Sequence, residues 1–121
     1  MTKRPVVLMV EDEALIRLDA VQMITAAGYD VLEADNADQA IEILEARADI
    51  SIVFTDIQMP GSIDGLKLAH AVRHRWPPIK IVTCSGRVKL TRDELPEGAR
   101  FISKPYTNAE IVSTFREALA A

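Results

Sequence analysis

The sequence has little of three things that would indicate an exported, nucleic-acid-binding or membrane protein. It contains one cysteine, Cys84, which excludes an internal disulfide and is typical of a reducing compartment. It has no basic excess: 14 Lys and Arg against 18 Asp and Glu give a net charge of −4, which disfavours direct DNA or RNA binding. No run approaches the roughly 18 apolar residues of a membrane span, and the apolar run at residues 6–10 is too short for a signal peptide. We therefore expect a cytoplasmic protein that contacts neither nucleic acid nor membrane.

The chain also has no linker-like stretch, internal repeat or low-complexity tract. Its 121 residues suit one domain, and 49% hydrophobic and 26% charged residues are an ordinary globular composition. We therefore predict a single domain over residues 1–121.

The hydrophobic pattern alternates between two periods along the chain. Apolar runs predict strands at residues 5–10, 50–55 and 79–84, and two further short strands are predicted at residues 29–34 and 101–103. Helical periods follow, the first over residues 13–27, and the candidate N-caps of the later helices are Asn36 or Asp38, Asp64, and Thr107 or Asn108. Strands that alternate with helices predict an α/β fold in three layers, with a parallel sheet covered on both faces.

Polar side chains stand where several predicted strands end. They are Glu11 and Asp12 after the first strand, Asp56 after the third, Thr83 and Ser85 at the fourth, and Lys104 after the fifth. Open parallel sheets bind ligands at this edge. Clustered carboxylates repel one another, and a hard divalent cation relieves the repulsion. Because oxygen donors predominate and no histidine or cysteine joins them, the set favours Mg²⁺ over Zn²⁺.

Five short segments match the motifs of one family, in the family's order and at nearly its spacing. They are Val-Glu-Asp-Glu at 10–13, Asp-Ile-Gln-Met-Pro-Gly at 56–61, Asp-Gly-Leu at 64–66, Ser-Gly at 85–86 and Lys-Pro at 104–105. On these segments the chain resembles the receiver domain of two-component response regulators, over residues 5–120 and of the single-domain type. The resemblance implies a flavodoxin-like (βα)5 fold with a five-stranded sheet of order 2-1-3-4-5.

The same resemblance implies a chemical role for each site residue. Asp56 would accept a phosphoryl group from a sensor histidine kinase or a histidine phosphotransfer protein. Lys104, joined to Pro105 by a cis peptide bond, would pair with a phosphoryl oxygen. The implied Mg²⁺ ligands are Glu11, Asp12, Asp56 and the backbone carbonyl of Gln58. Such a domain assists its own phosphorylation and dephosphorylation but is not a turnover enzyme. It signals to a downstream protein partner, or through a phosphorylation-dependent homodimer, by a change in its surface.

The switch hydroxyl has two candidates, Thr83 and Ser85. Their side chains share one face of the strand, so periodicity does not separate them. Ungapped counting favours Ser85, which is followed by the small Gly86. Thr83 is then expected to be a buried strand residue whose hydroxyl bonds to the backbone. Phe101 matches the family's switch aromatic.

Two segments depart from the family pattern. The loop after Asp56 carries an extra residue, and the stretch from Ser85 to Lys104 is about three residues short, roughly one helical turn. The fourth helix, which in the family belongs to the output face, is therefore trimmed, and we expect phosphorylation to reorganise this output segment, residues 87–98, as a loop. Its partner contacts would come from Val88, Leu90 and Leu95.

The first helix carries two leucines, Leu15 and Leu18, which lie off its predicted core face. They are either scattered exposed residues or a stripe on which the phosphodonor docks.

Two other functions remain open on sequence grounds. A scaffold that is never phosphorylated is disfavoured by the intact acidic pair, Glu11 and Asp12, together with Asp56 and Lys104. A small aspartate-nucleophile phosphatase would need a second aspartate two residues after the nucleophile, where this chain has Gln58.

Overall fold

Five parallel strands form the centre of the structure, a computed structural model that describes residues 4–58, 64–86 and 94–121. The strands are β1 (Val6–Val10), β2 (Asp30–Ala34), β3 (Ile50–Asp56), β4 (Lys80–Ser85) and β5 (Arg100–Ser103). Their order in the sheet is β2-β1-β3-β4-β5, and every neighbouring pair is parallel. The predicted sheet order is thus confirmed, with strand boundaries within one residue of those predicted.

Four helices lie in the described ranges. They are α1 (Ala14–Ala26), α2 (Ala37–Ala46), α3 (Gly65–Arg75) and α4 (Asn108–Ala120). The structure selects Asn36 and Thr107 from the two pairs of candidate caps, since each side chain accepts a helix N–H. Asp64 caps α3 in the same way, as predicted. None of these helices combines the length and the apolarity that a bilayer crossing requires.

The core lies in two layers, one on each face of the sheet. On one face α2 and α3 cover alternate strand residues such as Val53 and Ile81. On the other face α1 and α4 cover the residues between them, including Phe54 and Cys84. Because successive side chains of a strand point to opposite faces, a strand buried on both sides needs a continuous apolar run. This is why the three central strands, β1, β3 and β4, could be found in the sequence as apolar runs.

Part of the predicted output segment falls outside the described residues, namely 87–93 with Val88 and Leu90. The described end of this segment bonds to α3. His70 Nε2 donates to the Glu94 carbonyl at 2.8 Å, and Arg73 Nε donates to the Glu97 carbonyl at 2.8 Å. Leu95, the third predicted contact residue, is half-buried. The extra loop residue after Asp56 belongs to residues 59–63, which are also not described.

Candidate functional site

Three carboxylates converge at the carboxyl edge of the sheet. Asp56 is the last residue of β3 and is 6% exposed, and Glu11 directly follows β1 and is fully buried. Asp12, the next residue, is half-buried. Each of the three offers one carboxylate oxygen, and these oxygens lie within 4.8 Å of one another. The structure therefore brings together the three acidic side chains that the sequence singled out.

Lys104 joins two of these carboxylates. Its Nζ donates to Asp56 Oδ2 and to Glu11 Oε1, both at 2.6 Å. The lysine backbone is fixed as well, because its N–H donates to the Ser85 carbonyl at 3.0 Å. Its peptide bond to Pro105 is cis, as predicted. Lys104 thus bridges the residue that follows β1 and the last residue of β3.

Burial and hydrogen bonding have opposite effects on the pKa of the Glu11 carboxyl group. Burial raises its pKa to about 7, although hydrogen bonds from Lys104 and from the Glu13 N–H act in the opposite direction. The nearby Asp12 and Asp56 add to the increase. Glu11 is therefore poised between its charged and neutral forms close to neutral pH.

Lys104 responds in the opposite way to the same surroundings. Burial works to lower its pKa, but the hydrogen bonds to Asp56 and Glu11 outweigh burial and raise the pKa well above its usual range. The ammonium group is therefore charged at neutral pH.

Backbone contacts hold Asp56 in place. Its Oδ1 accepts the Gln58 N–H at 3.0 Å, and the following residue, Ile57, donates its N–H to the Cys84 carbonyl at 2.9 Å. Gly65 approaches so closely that a Cβ on it would overlap the Asp56 carbonyl oxygen. Only glycine fits there, so the Asp-Gly motif has a direct steric reason. Gln58 reaches the site through its backbone.

The two candidate hydroxyls have different surroundings. Thr83 is fully buried, and its Oγ1 donates to the Arg100 carbonyl at 2.9 Å, as expected of a strand residue bonded to the backbone. Ser85 is 3% exposed at the end of β4, and its carbonyl accepts the Lys104 N–H. Gly86 lies against the Lys104 side chain, since a Cβ on it would meet the lysine Cβ at 3.5 Å. Phe101, paired with Thr83 across the sheet, is 38% exposed.

The surface beside the site includes the leucines of α1. Leu15 is 80% exposed and Leu18 is 50% exposed, so the prediction that they lie off the core face is confirmed. A groove of about 450 Å³ separates α1 from the segment after β5, and its lining includes Met23, Lys104 and Tyr106. The groove thus adjoins the site at Lys104.

One contributor to the site was missed from the sequence, Arg17 of α1. Its Nη1 donates to the Glu11 carbonyl at 2.7 Å, and its Nε donates to Glu33 Oε1 at 3.2 Å. The signal available in the sequence was its position, one turn into the helix that follows the acidic loop.

Comparisons with known proteins agree over almost the whole chain. A family model described as "Response regulator receiver domain" matches residues 7–116. Response regulator receiver protein CpdR of Brucella abortus is 33% identical over 118 residues, which are 95% of this chain and 97% of that protein. Sensor kinase CckA of the same organism is 34% identical over 117 residues, 93% of this chain. The chain spans only 12% of the length of CckA. The crystal structure of a response regulator receiver protein from Sinorhizobium medicae superposes with a TM-score of 0.91 at 30% identity, covering 98% of this chain and 97% of that one.

Proposed function

The chain belongs to the response regulator receiver domain family of two-component systems, and we propose that it accepts a phosphoryl group on Asp56. Receiver domains are phospho-acceptors rather than turnover enzymes, and they act with histidine kinases or histidine phosphotransfer proteins. We take residues 1–121 as one such domain. The observation that carries the proposal is the setting of Asp56, whose two oxygens meet the Gln58 N–H and the Lys104 ammonium beside two further carboxylates.

The proposed reaction is a displacement at phosphorus. An Asp56 carboxylate oxygen attacks the phosphorus of a phosphohistidine, an O–P bond forms, and the P–N bond breaks with its electron pair going to the imidazole nitrogen. The donor leaves as histidine, and Asp56 becomes an acyl phosphate that water later hydrolyses. Such transfers depend on positioning and on charge neutralisation. Lys104, 2.6 Å from Asp56 Oδ2, is placed to pair with a phosphoryl oxygen.

The acidic cluster fits the Mg²⁺ that the family binds. Its donors are all oxygens, and three of them lie within 4.8 Å of one another. Glu11, Asp12, Asp56 and the Gln58 carbonyl would hold the ion, as the sequence predicts. When bound, Mg²⁺ supplies positive charge that offsets the phosphoryl oxygens.

Signalling in this proposal runs from Asp56 through Ser85 to the surface. We favour Ser85 as the switch hydroxyl because it ends β4 beside the Lys104 backbone and is followed by the small Gly86. Phe101 is partly exposed, which corresponds to an outward position of its ring. On phosphorylation the ring would move inward, into the space that Ser85 vacates. A downstream protein or a second copy of the chain would bind the altered surface.

The phosphodonor would dock on α1, next to the acceptor. Leu15 and Leu18 present apolar surface to solvent there. A groove lined by Ile16 and Met23 of the same helix reaches Lys104. A helical phosphotransfer protein would bury the exposed leucine side chains of α1 when it binds. This contact would place its phosphorylated histidine near Asp56.

The direct test replaces the acceptor. Asp56→Asn should abolish incorporation of phosphate from acetyl phosphate and Mg²⁺, measured by intact-mass spectrometry, because a carboxamide cannot form the acyl phosphate. The matched control is Asp30→Asn, since Asp30 is an exposed aspartate at the amino end of β2, the opposite edge of the sheet. The control should be labelled like the unmodified chain. Undiminished labelling of Asp56→Asn would refute the assignment.

A further inference from the structure

Arg17 makes two contacts from the first turns of α1 to groups outside that helix. Its side chain is 20% exposed, and its Nη1 donates to the Glu11 carbonyl at 2.7 Å. Its Nε donates to Glu33 Oε1 on β2 at 3.2 Å. A guanidinium presents its donors in a fixed planar fork, so two such bonds hold the acceptor groups at a defined angle.

The acceptor carbonyl belongs to the loop that carries the acidic pair. This loop joins β1 to α1 over residues 11–13, and its helix N-cap, Glu13, makes no side-chain capping bond. The contacts that define the loop are centred on Glu11 instead. Its N–H donates to the Ala34 carbonyl, its Oε2 accepts the Glu13 N–H, and its carbonyl accepts Arg17. The Glu11 carboxylate, which accepts the Glu13 N–H, therefore does part of the work of a capping side chain, and Arg17 fixes the carbonyl of the same residue.

A bond to the Glu11 carbonyl has a consequence for the next residue. The peptide group is planar, so the direction of the Glu11 carbonyl also sets the Asp12 N–H and the start of the Asp12 backbone. We propose that Arg17 is a positioning residue for the Mg²⁺ site and holds the Glu11–Asp12 peptide so that both carboxylates face Asp56. This inference rests on the proposed function, since it concerns the same metal site.

The positive charge of Arg17 is expected to weaken Mg²⁺ binding, whereas its hydrogen bond to the Glu11 carbonyl is expected to strengthen it. A guanidinium near the site repels a divalent cation, so its removal would by itself strengthen Mg²⁺ binding. Glu33 pairs with the guanidinium and offsets part of that repulsion. We therefore expect the geometric effect to exceed the charge effect. Groups that orient metal ligands typically change metal affinity by about 10- to 100-fold when removed, and we take the lower end for a contact made through a backbone carbonyl.

The test measures Mg²⁺ affinity by isothermal titration calorimetry, together with the melting temperature in EDTA. Arg17→Met keeps the apolar stem but removes the fork, and we expect a roughly tenfold weaker Kd for Mg²⁺. Arg17→Lys keeps the charge and one reaching donor, and it should recover part of the loss. The matched control is Arg47→Met, which removes an exposed arginine paired with Asp49 and should leave the Kd unchanged.

The outcomes separate positioning from its alternatives. A Kd for Arg17→Met equal to that of the unmodified chain, with only the melting temperature lowered, would mean a structural role and overturn the proposal. A tighter Kd would mean that charge repulsion dominates, and would overturn it too. If Arg17→Met does not fold, Arg17→Lys decides, because a positioning role requires a weaker Kd with the charge kept. An unmodified chain that bound no Mg²⁺ would instead remove the proposed metal site itself.

Discussion

The buried Glu11 makes the stability of the protein depend on pH in a direction opposite to that of an ordinary salt-bridged carboxylate. Its folded pKa of about 7 lies above its ordinary value of 4.5. Between these two values the folded chain holds a proton that the unfolded chain has released. Stability in the absence of Mg²⁺ should therefore fall as pH rises from about 4.5 through about 7, and Glu11 should add no further change above that.

The size of the effect follows from the displacement of the pKa. The difference between about 7 and 4.5 is about 2.5 units, which at 1.36 kcal/mol per unit is about 3 kcal/mol. No discount for solvent screening applies, because the Glu11 side chain is fully buried. A change of this size is a large fraction of the roughly 5–15 kcal/mol by which small domains are stable.

The assay compares urea unfolding in EDTA at pH 5 to 8 for the unmodified chain and for Glu11→Gln. Other carboxylates titrate in both proteins, so the difference between their free energies of unfolding isolates Glu11. The unmodified chain should lose about 2.5 kcal/mol relative to Glu11→Gln across this range, because a small part of the total effect falls below pH 5. Glu42→Gln, a change at an exposed glutamate of α2, should follow the unmodified chain. Parallel curves for Glu11→Gln and the unmodified chain, or a relative gain with rising pH, would refute the reasoning.

Two further predictions concern the surface. Leu15→Ala and Leu18→Ala should slow phosphotransfer from a histidine phosphotransfer protein but not from acetyl phosphate. Both side chains are exposed, so stability should change by no more than about 0.5 kcal/mol; equal slowing with both donors would contradict a docking role. Binding of beryllium fluoride, a phosphoryl analogue, should change the rate of hydrogen exchange in residues 86 and 94–101, because Ser85 and Phe101 border the predicted output segment. A change confined to residues 56–58 and 64–66 would exclude that output surface.

The central strands and the acidic edge could be predicted because each depends on local sequence, whereas the sheet order was implied by the family resemblance. A strand buried on both faces needs an unbroken apolar run, and parallel connections place the following polar residue at one edge. The caps were predictable as pairs of candidates, since neighbouring polar residues such as Thr107 and Asn108 satisfy the same rule. Geometry selected Thr107 because its capping box also uses Glu110.

The contacts between side chains at this edge could not be predicted in the same way. The contact between Lys104 and Glu11 joins residues 93 positions apart, and it depends on rotamers that the strand pattern does not specify. The bond from Arg17 to a carbonyl is equally invisible in a pattern of side-chain types. The same limit applied to Thr83 and Ser85, which share a strand face. The hydrogen bond from Thr83 to the Arg100 carbonyl and the contact of Ser85 with the Lys104 backbone became visible with the structure.

The proposed mechanism uses two cations, the Lys104 ammonium and Mg²⁺, and they share oxygen ligands. Its ammonium already contacts Glu11 and Asp56, so Mg²⁺ would compete with it for the same oxygens. A phosphoryl group on Asp56 would give the lysine a new acceptor and free the Glu11 oxygen for the metal side of the site. Phosphorylation and Mg²⁺ binding should therefore strengthen each other, because linkage between two ligands of one site is reciprocal. The buried, easily protonated Glu11 would be the group through which pH enters that coupling.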